Sequence, residues 1–173
     1  GVMADLGIHK TDLIQFLTSQ RVVETTAKLL TLDKVDACGN RIGVDDNAFC
    51  IYKMSGGAVG TMTASWTYYG SEDNSTIIYG TEGILRIYDD PCHSIVLIEK
   101  NGTRKEYDVD KIQTNDDQVK SGIIDMFVNS VVKDEAPQIS GESVLSAMHA
   151  VFASIESSEK GCAITIEDEK SEE

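Results

Sequence analysis

Residues 61–68 alternate strictly: Met62, Ala64, Trp66 and Tyr68 fall on one side, Thr61, Thr63, Ser65 and Thr67 on the other. A period of two over eight residues requires an extended strand with one heavy and one light face. The heavy face predicts burial beneath helices. The row of hydroxyls predicts a flat, semi-polar outer surface. Ser55-Gly56-Gly57, just before it, is a hairpin signal, so an antiparallel partner is expected in Ala48 to Met54.

The same signals recur along the chain. Arg21 to Lys34 is β-rich, and Asp45-Asp46 opens the Ala48 strand. Strands are predicted over Ser75 to Tyr79 and Gly83 to Tyr88, joined by Gly80-Thr81-Glu82. Two more, Ser94 to Lys100 and Arg104 to Val109, flank the turn dipeptide Asn101-Gly102. Helical periodicity brackets the strands. Leu6 to Ser19 places Leu6, Leu13 and Leu17 on an apolar stripe with Ile14 beside it, and Asp5, His9 and Asp12 on a second stripe. Gly7 is a weak helix former, so an irregular first turn is expected. Val119 to Val132 carries Ile123, Phe127 and Val131 on one face, and Pro137 marks a break. Ser143 to Glu159 is predicted to turn Leu145, Met148, Val151, Phe152 and Ile155 inward, to end at Gly161, and to be followed by a short strand from Ala163 to Ile166. The order is one helix, a run of strands, two helices and one strand. It predicts an α+β fold: a mostly antiparallel open sheet with helices packed on one face.

Composition narrows the function. Twenty-nine acidic against 15 basic residues give a net charge of −14, which repels phosphate backbones and argues against nucleic acid as a partner. Part of the excess is an acidic tail, 167–173, expected to be solvated, leaving 1–166 as the folded domain. No apolar run approaches the ~18 residues of a membrane span, and no signal peptide is seen, so a cytoplasmic protein is expected. Cys38, Cys50, Cys92 and Cys162 form no C-x-x-C pair, and no metal site is expected at Cys92-His93. No G-x-G-x-x-G occurs, so the chain has no dinucleotide fingerprint of its own.

Asp5, His9 and Asp12 carry the chemistry. Imidazole is suited to accept a proton near neutral pH. A carboxylate one turn earlier can orient an imidazole and favour its protonated form. Asp5 and His9 stand at i and i+4, and Asp12 three residues on could accept hydrogen bonds from further hydroxyls. Taken alone, the pattern is more often that of a solvated helix face. A metal reading would need an open site that spacing does not supply. His149, among Ala147, Met148, Ala150 and Val151, reads as a core or rim residue. Trp66 and Tyr68 read as core, with a place in the binding site as the alternative.

Gly1 to Asp12 reads G-x-x-x-D-x-G-x-H-x-x-D. This resembles a motif of the glucose–fructose oxidoreductase, inositol dehydrogenase and MocA family, where it opens the C-terminal domain just past a Rossmann domain. Gly1 looks like the second of the two glycines that start the family motif, which points to a cut through a longer protein. Asn47 to Tyr68, Tyr79-Gly80-Thr81-Glu82-Gly83 and the helix ending near Gly161 are similar to successive family segments. The resemblance implies an oxidoreductase of two domains acting on sugars, polyols and related hydroxy compounds. NAD or NADP would be bound mainly by an N-terminal domain, with no cofactor-binding residue on this chain. His9 would accept the proton or position the hydroxyl. Asp5 would bind a substrate hydroxyl, with Asp12 beside it. The family's catalytic lysine, in a Glu-Lys-Pro motif, belongs to the N-terminal domain and has no counterpart here, so this chain alone is expected to be inactive. The resemblance also implies a homo-oligomer built on the open sheet face. The alternative is a non-enzymatic ligand-binding or oligomerisation module. The two separate on whether the encoding gene carries a preceding Rossmann segment.

Overall fold

The computed structural model describes residues 1–109, 122–137 and 140–166. They form α+β structure in which all strand pairs are antiparallel. The strands divide into two four-stranded sheets, in two compact units.

The first unit contains Gly1–Tyr68 and the chain from Asp125 onward. It opens with a π-turn, Met3–Gly7, continued without interruption by α1, Ile8–Thr18. This is the irregular first turn expected at Gly7. The sheet order is β3-β2-β1-β8, with β1 Val22–Leu30, β2 Asn47–Met54, β3 Val59–Ser65 and β8 Ile164–Thr165. Helices α2, Ile123–Lys133, and α3, Gly141–Lys160, precede β8.

The core lies between the sheet and the helices on one of its faces: Ala48, Cys50, Tyr52 and Met54 of β2 and Met62 of β3 pack with Val2, Met3, Ala150 and Val151. Ala64 and Trp66 pack against this cluster, as their alternation requires, whereas Tyr68 is exposed. Phe49 and Ile51 of β2 and Thr61 and Thr63 of β3 are exposed on the other face. In β1 a bulge between Val22 and Glu24 breaks the register. A bulge shifts the side-chain alternation by one residue. Val22 is therefore inward before it, and Thr25 and Ala27 after it.

Two helices turn other faces inward than the large apolar residues suggest. Along the π-turn and α1 the buried positions are Met3, Gly7 and Thr11, while Leu13 and Leu17 are half-buried and Leu6 is exposed. Two methionine side chains close over Gly7, where a Cβ would stand 2.8 Å from Met3 Sδ and 3.5 Å from Met62 Cε. In α3 the inward face is small: Ala147, Ala150, Ala153, Ser154 and Ser157, with Val151. Leu145, Met148 and Phe152 are exposed; Ile155 does pack on the core. The small face lets the helix backbone approach β1 closely enough for direct hydrogen bonds. Ser157 Oγ accepts from Ala27 N at 2.9 Å and Ser158 Oγ from Leu29 N at 2.8 Å. In α2, Ile123, Phe127 and Val131 are exposed. The helix start expected at Val119 and the acidic tail lie outside the described residues.

The second unit, Tyr69–Ile124, holds a meander ordered β4-β5-β6-β7: Thr76–Tyr79, Gly83–Ile87, Ile95–Glu99 and Arg104–Tyr107. Asn101-Gly102 makes the β6–β7 turn, with Glu99 N donating to Thr103 O and Gly102 at φ +87°.

Candidate functional site

All three residues of the polar stripe are exposed, on the side of the helix away from Met3, Gly7 and Thr11. His9 and Thr11 lie two residues apart, so a buried Thr11 turns His9 outward. Thr11 is held inward by its hydroxyl, which donates to Gly7 O at 2.8 Å and shares a 3.0 Å bond with Tyr52 Oη. Burial pushes the Tyr52 phenol well above its ordinary range, so it stays neutral and serves as a structural partner. Asp12 follows His9 by three residues and Phe16 by seven, which keeps both near the same side. Phe16 is 78% exposed. Its spacing from His9 marks it as part of the stripe, a feature that a search for polar groups passes over.

Asp5 sits in the π-turn, and its carboxylate has a partner that spacing along the helix does not show. Trp66 Nε1 donates to Asp5 Oδ2 at 3.0 Å. The i, i+4 spacing points to His9 as the group Asp5 orients, whereas its partner in the fold comes from the end of β3. π-Turns within α-helices are rare and concentrate at functional sites.

The acidic pair 45–46 anchors this region. Asp45 Oδ2 accepts from Met3 N at 2.7 Å and its carbonyl from Val2 N at 2.8 Å, fixing the start of the π-turn. Asp46 is fully buried. Burial alone would raise its carboxyl pKa. The backbone N–H groups of Leu32, Lys34 and Asp33 and the Asn47 amide outweigh that effect and hold it well below the usual carboxylate range.

Among the described residues, no group of three or more His, Cys, Asp and Glu side chains could hold a metal ion. A cleft of about 780 Å³ lies in the second unit, lined by Ile78, Leu85, Leu97, Thr81 and Lys100 among others. None of the stripe residues contributes to it.

The first 86 residues, which include the stripe, Trp66 and strands β1–β3, match the family described as the GFO/IDH/MocA C-terminal domain. Over residues 1–86 the chain belongs to that family. Solved structures share the fold. An oxidoreductase domain protein from Kribbella flavida superposes with a TM-score of 0.77 at 18% identity, covering 97% of this chain and 52% of that one. Levoglucosan dehydrogenase in complex with NADH and levoglucosan gives 0.78 at 17%, covering 97% and 51%. The WlbA dehydrogenase from Bordetella pertussis, in complex with NADH and UDP-GlcNAcA, gives 0.70 at 19%, covering 98% and 46%. At these identities the likeness shows the fold, and the chain spans about half the length of each. No curated protein matches the sequence.

Proposed function

We propose that this chain is the substrate-binding part of an NAD(P)-dependent oxidoreductase that acts on a hydroxyl of a sugar, polyol or related compound. The observation that carries the reading is the exposed stripe Asp5–His9–Asp12, presented by a helix whose opposite side is locked into the core. Solved relatives of the same fold hold NADH together with levoglucosan or UDP-GlcNAcA, which supports a nicotinamide cofactor and a hydroxylated substrate.

The chain shows no glycine-rich phosphate turn and carries a net charge of −14, so the dinucleotide would be held by another domain. That cofactor supplies the hydride acceptor. His9 takes the hydroxyl proton as the C–H bond breaks, or gives it back in the reverse direction. Asp5 accepts a hydrogen bond from a substrate hydroxyl and so fixes which carbon meets the cofactor. Asp12 accepts from a further hydroxyl. The flat Thr61 and Thr63 row, with Phe49 and Ile51 beside it, is the face on which we place self-association. We place the protein in the cytoplasm.

The test is His9→Gln in a polypeptide that also carries the cofactor-binding domain. His9 is exposed, so its replacement should change stability by no more than ~0.5 kcal/mol. Loss of a general base should lower kcat by about 10²- to 10⁴-fold. A kcat near wild type with an unchanged melting curve would remove His9 from the chemistry.

A further inference from the structure

Trp66 and Asp5 belong to different elements, yet both ends of their hydrogen bond are tied to one dipeptide. Asp45 holds the start of the π-turn through Val2 N and Met3 N. The carbonyl of Asp46 accepts from Trp66 N at 2.9 Å. The residues flanking Trp66 are held as well: Ser65 Oγ donates to Asn47 Oδ1 at 2.7 Å, and Asn47 Nδ2 donates to Thr67 Oγ1 at 2.8 Å. The indole is half-buried against the core cluster. Its N–H is therefore aimed at Asp5 by a backbone with little freedom to move. A carboxylate offers about four lone-pair positions. The indole takes one on Oδ2 and restrains rotation of the group, while the remaining positions stay compatible with another donor.

We infer that Trp66 is a positioning residue for Asp5: its indole N–H holds one carboxylate oxygen so that the carboxylate meets a substrate hydroxyl in one orientation. The inference rests on the placement of Asp5 in the substrate site proposed above. It explains why a residue whose ring belongs to the core directs its only polar atom to an exposed acidic side chain. Geometry held in this way matters because a misplacement of about 1 Å at a reacting group costs on the order of a hundredfold in rate.

Trp66 is the only tryptophan of the chain, so indole emission reports on the surroundings of this one side chain. In the 173-residue chain, Asp5→Ala should shift the emission maximum and change quenching by acrylamide. Asp12→Ala, further along the helix, should change neither. Emission unaltered by Asp5→Ala would overturn the inference, and because this variant keeps Trp66 the result does not depend on a replaced core ring. With the cofactor-binding domain present, Trp66→Phe keeps a ring and removes the donor. It should lower kcat/KM by up to about a hundredfold, and the double variant with Asp5→Asn should be no worse than Asp5→Asn alone. Additive losses would mean that Trp66 acts independently of Asp5, against the inference. If Asp5→Asn leaves turnover intact, the substrate site is elsewhere and the positioning role falls with it, even where the emission change shows the bond itself to be real.

Discussion

Ser157→Ala tests how α3 is joined to the sheet. Strand β8 is only two residues long and pairs with Glu24 and Thr25. Beyond it, the outer edge of β1 is capped by serine side chains rather than by a strand. Ser157 is fully buried, and Ala27, whose N–H it accepts at 2.9 Å, is 3% exposed. The same hydroxyl donates to Cys162 O at 2.6 Å. Alanine removes both bonds. A buried N–H left without an acceptor costs about 1–3 kcal/mol. Cys162 is exposed, so its carbonyl can turn to water and adds little. Alanine's better helix propensity returns up to ~0.5 kcal/mol. The expected net loss is about 0.5–2.5 kcal/mol. With a urea m-value of about 1.5–2 kcal/mol/M, the midpoint should fall by roughly 0.3–1.7 M. Trp66 emission follows the transition of the unit concerned. Amide exchange at Ala27 should accelerate roughly 2- to 70-fold. Ser158→Ala, at a half-buried position that water can reach, should cost less than ~1 kcal/mol. An unchanged midpoint together with undiminished protection at Ala27 would refute the argument that the serine caps the strand edge.

Asp46→Asn should destabilise the protein at neutral pH, because a carboxylate that accepts three backbone donors is replaced by an amide with one acceptor oxygen. The folded-state pKa of Asp46 is lowered, so its contribution is complete above the unfolded value of ~3.9 and is lost as pH falls below it. Urea midpoints of wild type and variant should therefore converge in acid, and a gap that stays constant from pH 7 down to pH 3 would contradict this. Gly83→Ala would place a Cβ 2.3 Å from the carbonyl oxygen of Ile98, on the neighbouring strand. A loss of about 1–3 kcal/mol, with faster amide exchange in β5 and β6, is expected; undisturbed exchange there would show that the strands can part without cost. Light scattering at tens of micromolar should give a mass above the monomer if the open face of the first sheet self-associates, and Thr63→Lys should reduce it by placing a charge on that face. A strictly monomeric mass for the unaltered chain argues against association there.

The elements with local signatures were legible in the sequence. The 61–68 alternation sends Met62 into the core and Thr61 and Thr63 outward. Asn101-Gly102 makes its turn, and Gly161, at φ +69°, ends α3. The stripe Asp5–His9–Asp12 could be read from spacing, because positions about one turn apart share a side of a helix whatever it packs against. The inward faces of α1 and α3 could not. The large residues Leu6, Leu145, Met148 and Phe152 dominate the periodicity, yet the fold buries Gly7, Thr11, Ala150 and Ser157. A helix that approaches a sheet closely enough to bond with it needs small side chains at the contact, and small residues leave a weak hydrophobic signal.

What the sequence determined by itself is what repeats within a few residues: strand alternation, turn chemistry, and the common side of Asp5, His9 and Asp12. Other features join residues far apart in the chain and emerge only from the packed fold. The division of the strands into two sheets, the bulge that reverses inward and outward along β1, the serine caps from α3 and the bond from Trp66 to Asp5 are of this kind. The physical reason is the same in each case. A hydrogen bond between distant segments depends on where packing brings two backbones, and neither partner carries a mark of that distance in its own neighbourhood.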